Sequence, residues 1–216
     1  MTRRATYRIT RRLGALWKDE RGAVAIEFAI VASLLFFLFF TLLDFGRIAF
    51  SQVMAEKATH MAARMAAVRP LACNNMPTFP EYHTRGGASP APRFGSICSS
   101  ATGTCANPGT FTCVGDATNA TANEVWATVE PWLPLGADID DLRFRYEFDS
   151  NLGFLGGPYT PMLTVQLDLP DFQFISPLGA LATAAGAATD PTGASFGYPD
   201  FSVSLPAEDL ALGGAG

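Results

Sequence analysis

Between Arg21 and Phe50 the chain reads "RGAVAIEFAIVASLLFFLFFTLLDFGRIAF", and no other stretch restricts its fold so tightly. Ala23 to Leu43 is 21 positions long and carries a single charged side chain, Glu27. Roughly 20 apolar residues are enough for a helix to cross a bilayer. The flanks differ in sign. Residues 1–22 hold seven Lys and Arg against Asp19 and Glu20, whereas residues 23–216 hold eight basic and eighteen acidic side chains. By the positive-inside bias, residues 1–22 stay in the cytoplasm and the chain beyond about Asp44 is exported. The acidic balance of the exported part also argues against a nucleic-acid surface there. A cleaved secretory signal is the first rival, but it needs small residues just after the apolar run. Here "DFGRIAFSQ" follows instead.

Glu27 is the feature to explain. A carboxylate at the centre of a membrane helix costs on the order of 2.5–3.5 kcal/mol on insertion scales. One reading leaves Glu27 in the headgroup layer, one turn from the cytoplasmic face, where the cost is small. The other gives it a function. Its surroundings bear on the choice: Gly22 precedes Ala23, Glu27 is the fifth residue counted from Ala23, and the aromatic Phe28 follows.

The segment "RGAVAIEFAIVASLL" with "LLDFGRIAF" resembles the N-terminal segment of TadE/TadG-like proteins, minor pilins or pseudopilins of the tight-adherence (Flp) branch of type IV pili. In that family a basic leader ends in Gly, a prepilin peptidase cuts after it on the cytoplasmic side, and a Glu at the fifth mature position precedes an aromatic. The resemblance implies a cut between Gly22 and Ala23, with Glu27 and Phe28 as the assembly pair. Asp44 to Arg47, "DFGR", is similar to the segment that follows the apolar stretch in the family, and "DFQFISPLGAL" is mildly similar to the corresponding part of its domains. The implied partners are the prepilin peptidase, other pilins, the Tad inner-membrane assembly proteins and membrane lipid. The implied location is the bacterial inner membrane, single-pass, with the C-terminal domain periplasmic or carried into the pilus. Cleavage would free an α-amino group at Ala23, and a carboxylate one turn along can pair with the amine of a neighbouring subunit. An unpaired buried charge is expensive, so such a pair selects register.

Helical character continues past the membrane. "FSQVMAEKATHMAARMAAVRP" is rich in good helix formers, with Met54, Ala58, Met61, Met65 and Val68 spaced as one apolar face. Pro70 is the expected stop, so one helix from about Ala23 to Arg69 is expected; the alternative is two helices with a break near Gly46. His60 on this helix and His83 beyond it have no surrounding cluster of acids and cysteines in sequence, so both read as structural and no metal is assigned.

From Leu71 to about Ala122 the composition turns to Pro, Gly, Ser, Thr, Asn and Cys, a long irregular region. It contains Cys73, Cys98, Cys105 and Cys113, all four cysteines of the chain. An even count in an exported segment reads as two disulfides, with three possible connectivities. Cys98–Cys105 with Cys73–Cys113 is preferred, because the first closes a short Gly-containing loop and the second ties the helix end to the next element. Zinc sites use closer cysteine pairs than these, and no C-x-x-C occurs for thiol chemistry.

"NEVWATVEPWLPL" reads as a short helix stopped near Pro131, with Glu124 and Glu130 facing solvent. "LRFRYEFD" alternates Leu142, Phe144, Tyr146 and Phe148 with charged residues, the period of a half-buried strand. "MLTVQLDLPDFQF" alternates again, and the two make an antiparallel hairpin across a long loop. "FGYPDFSVSLPAE" offers a last strand through Phe201, Val203 and Leu205. The intervening "PLGALATAAGAATDPTGA" is either a loop or a short helix on the membrane. Asp138, Asp140 and Asp141 form a turn and lack the spacing of a calcium loop. Asn119 formally begins a glycosylation acceptor, which a bacterial reading makes incidental. No nucleophile, metalloprotease, phosphate-binding or dinucleotide motif is present, so neither an enzyme nor a cofactor is expected.

The fold class that follows is α+β: a long N-terminal membrane-spanning helix with a small exported domain built on an antiparallel sheet. Its parts are a basic leader (1–22), a transmembrane segment (23–46), an exported continuation of the helix (47–70), the irregular cysteine region (71–122) and the sheet region (123–216). The functional expectation is pilus assembly. The rivals are a permanently anchored structural component of the same machine and, from another class, a tethered exported binding module or hydrolase.

Overall fold

The computed structural model describes residues 23–74, 80–175, 195–208 and 210. Its helices are α1 (Ala23–Ala67) and α2 (Ala120–Val129). Its strands are β1 (Thr110–Val114), β2 (Leu142–Glu147), β3 (Met162–Leu167), β4 (Phe172–Gln173), β5 (Ser195–Phe196) and β6 (Phe201–Pro206). The leader 1–22 and the small-residue segment 177–194 lie outside the described residues. Contacts divide the chain into two units, Met1–Arg47 with Gln173–Ser195, and Ile48–Phe172 with Phe196–Gly216.

α1 is a continuous 45-residue helix, so the break considered near Gly46 does not occur. A glycine inside a helix costs ~1 kcal/mol, whereas a backbone polar group left unpaired in hydrocarbon costs several. The helix stops at Ala67 because Pro70 pushes the residue before it towards extended backbone. In the first unit the side chains from Val24 to Leu43 are exposed or half-exposed, none buried. The polar Ser33 and Thr41 hydroxyls donate back to the carbonyls of Ala29 and Phe37, at 2.7 and 2.8 Å. These bonds leave the segment with few unsatisfied polar groups.

The second unit is built on a four-stranded antiparallel sheet in the order β1-β2-β3-β6. Period-two alternation explains it: Leu142, Phe144 and Tyr146 of β2 are buried and Arg143, Arg145 and Glu147 exposed. β3 buries Leu163, Val165 and Leu167 on the same side. Register sets Phe144 between Cys113 and Val165, and Tyr146 between Phe111 and Leu163. β4 and β5 form a separate two-stranded sheet.

The part of α1 beyond Ile48 covers the inner face of this sheet, in one core with Val125 and Val129 of α2. Its buried stripe is not the expected methionine one. Ala55, Ala58, Thr59, Ala62, Ala63, Ala66 and Ala67 are buried, Met54, Met61 and Met65 only partly, and Val68 is exposed. Small side chains let the helix approach a sheet face already filled by Phe144 and Tyr146, while flexible methionines fill the flanks.

The region 71–122 is less irregular than its composition suggests. It holds β1, whose alternation in "TFTCV" is masked by threonines, and a 3-10 turn at Cys98–Ser100. It also holds the start of α2, three residues ahead of the expected Asn123. Asn119 is the reason. Its side-chain oxygen caps the helix by accepting from the Ala122 amide, and its amide donates to the Leu71 carbonyl. The formal glycosylation acceptor is thus employed as a cap. A Cys73–Cys113 disulfide, an Ala72 amide donating to the Tyr146 hydroxyl at 3.1 Å and an Arg69–Glu124 ion pair fix the chain leaving α1 to the sheet and α2. The turn expected at Asp138 to Asp141 is a 3-10 turn, Ile139–Asp141, closed by a capping box from Asp138 and Asp141.

Candidate functional site

The membrane segment presents its candidate residues on the opening turns of α1. Ala23 is the first helical residue, and Gly22 lies outside the described residues. Glu27 is exposed, and Phe28 is 73% exposed among Val24, Ile26, Ile30 and Val31, which are all similarly bare. Among the described residues no cation lies within salt-bridge distance of Glu27. The carboxylate therefore stands on a helix whose surroundings are suited to lipid or to other apolar helices, and a counter-charge for it must come from outside this set.

At the other end of the apolar run the "DFGR" segment acquires a structural role. Asp44 is 1% exposed, the only fully buried acid among the described residues. It accepts from the Arg47 guanidinium at 3.1 Å and from the backbone amide of Ile175 at 3.2 Å. The i,i+3 spacing brings Arg47 over it on the same helix face. Asp44 thus ties the chain just after β4 to the end of the apolar stretch. Sequence marked this segment only through resemblance, because the Ile175 contact is 131 residues away.

The four cysteines form two disulfides, Cys73–Cys113 and Cys98–Cys105, with Cα separations of 5.7 and 5.1 Å. They serve different parts of the second unit. Cys73 belongs to the main core, whereas Cys98, Cys105 and Leu155 form a small second core packed against Phe148.

Around that second core three loop segments are knitted by backbone hydrogen bonds. The His83 amide donates to Gly157, Gly156 to His83, Cys98 to Gly153, Leu155 to Ser96 and Ala106 to Thr84, all within 3.3 Å. His83 is at the centre of this knot, 2% exposed, with its ring 5.1 Å from that of Tyr159 and 6.1 Å from Phe148. Gly153, at φ +81°, packs so closely that a β-carbon there would overlap the imidazole. Neither ring nitrogen of His83 has a hydrogen-bond partner among the described residues. Burial holds its pKa below the ordinary histidine value, so the ring is neutral near pH 7. The expected structural role for His83 matches its burial, but its neighbours are the two sulfurs of Cys98–Cys105. Sequence gave no signal of this meeting, which joins three loops. His60, the other histidine, is exposed on α1.

Residues 22–64 match the family model described as TadE-like protein. The match takes in Glu27, Phe28, the Asp44–Arg47 segment and most of α1. No curated protein and no solved structure matches the chain.

Proposed function

We propose that this chain is a TadE-like minor pilin or pseudopilin that takes part in tight-adherence pilus assembly. It is held in the inner membrane by the apolar half of α1, with the basic leader cytoplasmic and the sheet domain exported. The prepilin peptidase cuts between Gly22 and Ala23. The α-amino group so created is one helical turn from Glu27 and within reach of the Glu27 of an adjacent subunit. The observation that carries this reading is Glu27 itself: an exposed carboxylate, alone in a bare apolar helix, five residues into the segment that matches the TadE-like family. Nothing in a lone membrane anchor calls for a charge there, since its insertion is unfavourable by a few kcal/mol if drawn deep into the bilayer. Pairing with an amine in an apolar helix bundle removes that penalty and fixes the axial register of neighbouring subunits. The partners are accordingly the peptidase, other pilins, the inner-membrane assembly proteins and lipid.

Mass spectrometry of the protein isolated from its native membrane tests the first step. A mature N-terminus at Ala23, lost in Gly22→Leu or without the peptidase, is expected; an intact Met1 would point to an uncleaved structural component of the machine instead. Glu27→Leu tests the second. The variant should insert in the membrane as before and fail to co-assemble with other pilins, and normal piliation would refute the pairing.

A further inference from the structure

We propose that reduction of the Cys98–Cys105 disulfide turns the loop knot into a three-ligand site, His83, Cys98 and Cys105, for a thiophilic divalent cation of the zinc type. The ligand atoms of these three residues already lie within 4.8 Å of one another. Tetrahedral coordination, with bonds of ~2.3 Å to sulfur and ~2.0–2.1 Å to nitrogen, sets neighbouring ligand atoms ~3.6–3.8 Å apart. Closing the remaining gap takes a shift of about 1 Å at His83, while the two sulfurs move apart to the same spacing.

The second observation is the histidine. A buried imidazole ordinarily hydrogen-bonds, yet His83 is 2% exposed and both of its nitrogens lack a partner among the described residues. A neutral ring with a spare lone pair beside two sulfurs is the donor that a metal of this class takes. Charge also favours a divalent ion: two thiolates and a neutral imidazole balance it to zero, the state a buried site tolerates best. The backbones of His83 and Cys98 are held by hydrogen bonds to Gly157 and Gly153, and the Ala106 amide next to Cys105 donates to Thr84. These bonds do not depend on the sulfur–sulfur link, so the ligands stay placed when it opens. Cys98 and Cys105 also line a cleft of about 450 Å³ with Gly103 and Ser150, which gives an entry path and room for a fourth, exchangeable ligand.

The chemistry balances with a dithiol as reductant. It delivers two electrons and two protons to the Cys98–Cys105 bond, which becomes two thiols, and is itself oxidised to a disulfide. Metal binding then releases both thiol protons. In the oxidised chain the sulfurs are bonded to each other and offer no thiolate, so disulfide and metal are alternative clasps for the same knot.

The test uses the full chain in detergent micelles with Cys73→Ser/Cys113→Ser, which leaves one thiol pair, and zinc as the probe in competition with a chromophoric chelator. After dithiol reduction and removal of the dithiol, a single zinc per chain is expected, with none retained by the oxidised chain. His83→Gln removes a direct ligand and should weaken binding by more than the ~10–100-fold that loss of an outer-shell partner costs. If the serine pair prevents folding, the chain with all four cysteines serves, and Cys98→Ser/Cys105→Ser must then abolish the histidine-dependent zinc. The cobalt-loaded chain reports on His83 without substitution: sulfur-to-cobalt charge-transfer absorption and a paramagnetically shifted, exchangeable imidazole proton are expected. Zinc retained equally by oxidised and reduced chains, no zinc in the reduced chain, or a cobalt complex without that imidazole proton would each overturn the site.

Discussion

His83 shows how one residue can be structural in sequence terms and chemically distinctive in place. Its burial depresses its pKa, because the charged ring would have to be formed in a site with little water and no counter-charge. The sign of the consequence follows directly. A folded-state pKa below the ordinary 6.5 means that the unfolded chain binds the proton more readily. His83 therefore leaves stability intact above about pH 6.5 and reduces it as pH falls through the folded value. The protection factors of the Cys98, Leu155, Gly156 and Gly157 amides, which this knot holds, should fall selectively as pH drops below 6.5 once the intrinsic slowing of exchange at lower pH is divided out. In His83→Gln that loss of protection should disappear, and an equal one in the variant would place its origin elsewhere. None of this could be read from "EYHTRGG", since the residues that strip water from the ring come from positions near 98, 105 and 153. By contrast Glu27 was legible at once, because a charge in an apolar run is conspicuous whatever the rest of the chain does.

Among elements, α1 is governed by two solvents. Its first half is apolar all round and its second half is amphipathic, with a buried face of alanines on the sheet core. The existence and extent of the helix could be read from apolar length, helix formers and Pro70. Its inward face could not, since Met54, Met61 and Met65 fit the same periodicity as the alanines and are the more hydrophobic choice. What decides is the space left by Phe144 and Tyr146. Ala62 is fully buried at the centre of that face, so Ala62→Leu adds volume where the packing has none and should lower unfolding stability by roughly 1–3 kcal/mol. Met54→Leu, on the half-exposed flank, should cost under about 1.5 kcal/mol. Chemical denaturation of the two variants side by side checks the ranking; a reversal would mean that the methionine stripe faces the core after all.

For the molecule as a whole, the two disulfides differ in what they constrain. Cys73–Cys113 spans 40 residues and links the end of α1 to β1, while Cys98–Cys105 spans seven within the loop knot. Loop-closure entropy gives about 4 kcal/mol for the first and about 2 kcal/mol for the second. Cys73→Ser/Cys113→Ser should therefore lower the denaturation midpoint of the sheet domain more than Cys98→Ser/Cys105→Ser, and equal losses would show that native-state packing outweighs chain entropy. The sequence by itself determined the membrane segment, the asymmetric charge around it, the singular carboxylate Glu27 and the β2–β3 hairpin. Each of these is a local property: a length against a bilayer, a count of charges, a period of two along a strand. Tertiary structure alone decided that alanines rather than methionines face the sheet, that Asp44 receives the Ile175 amide, and that His83 meets Cys98 and Cys105. Those outcomes depend on which distant segments exclude water from a given side chain, and exclusion by distant segments leaves no periodic trace in the residues themselves.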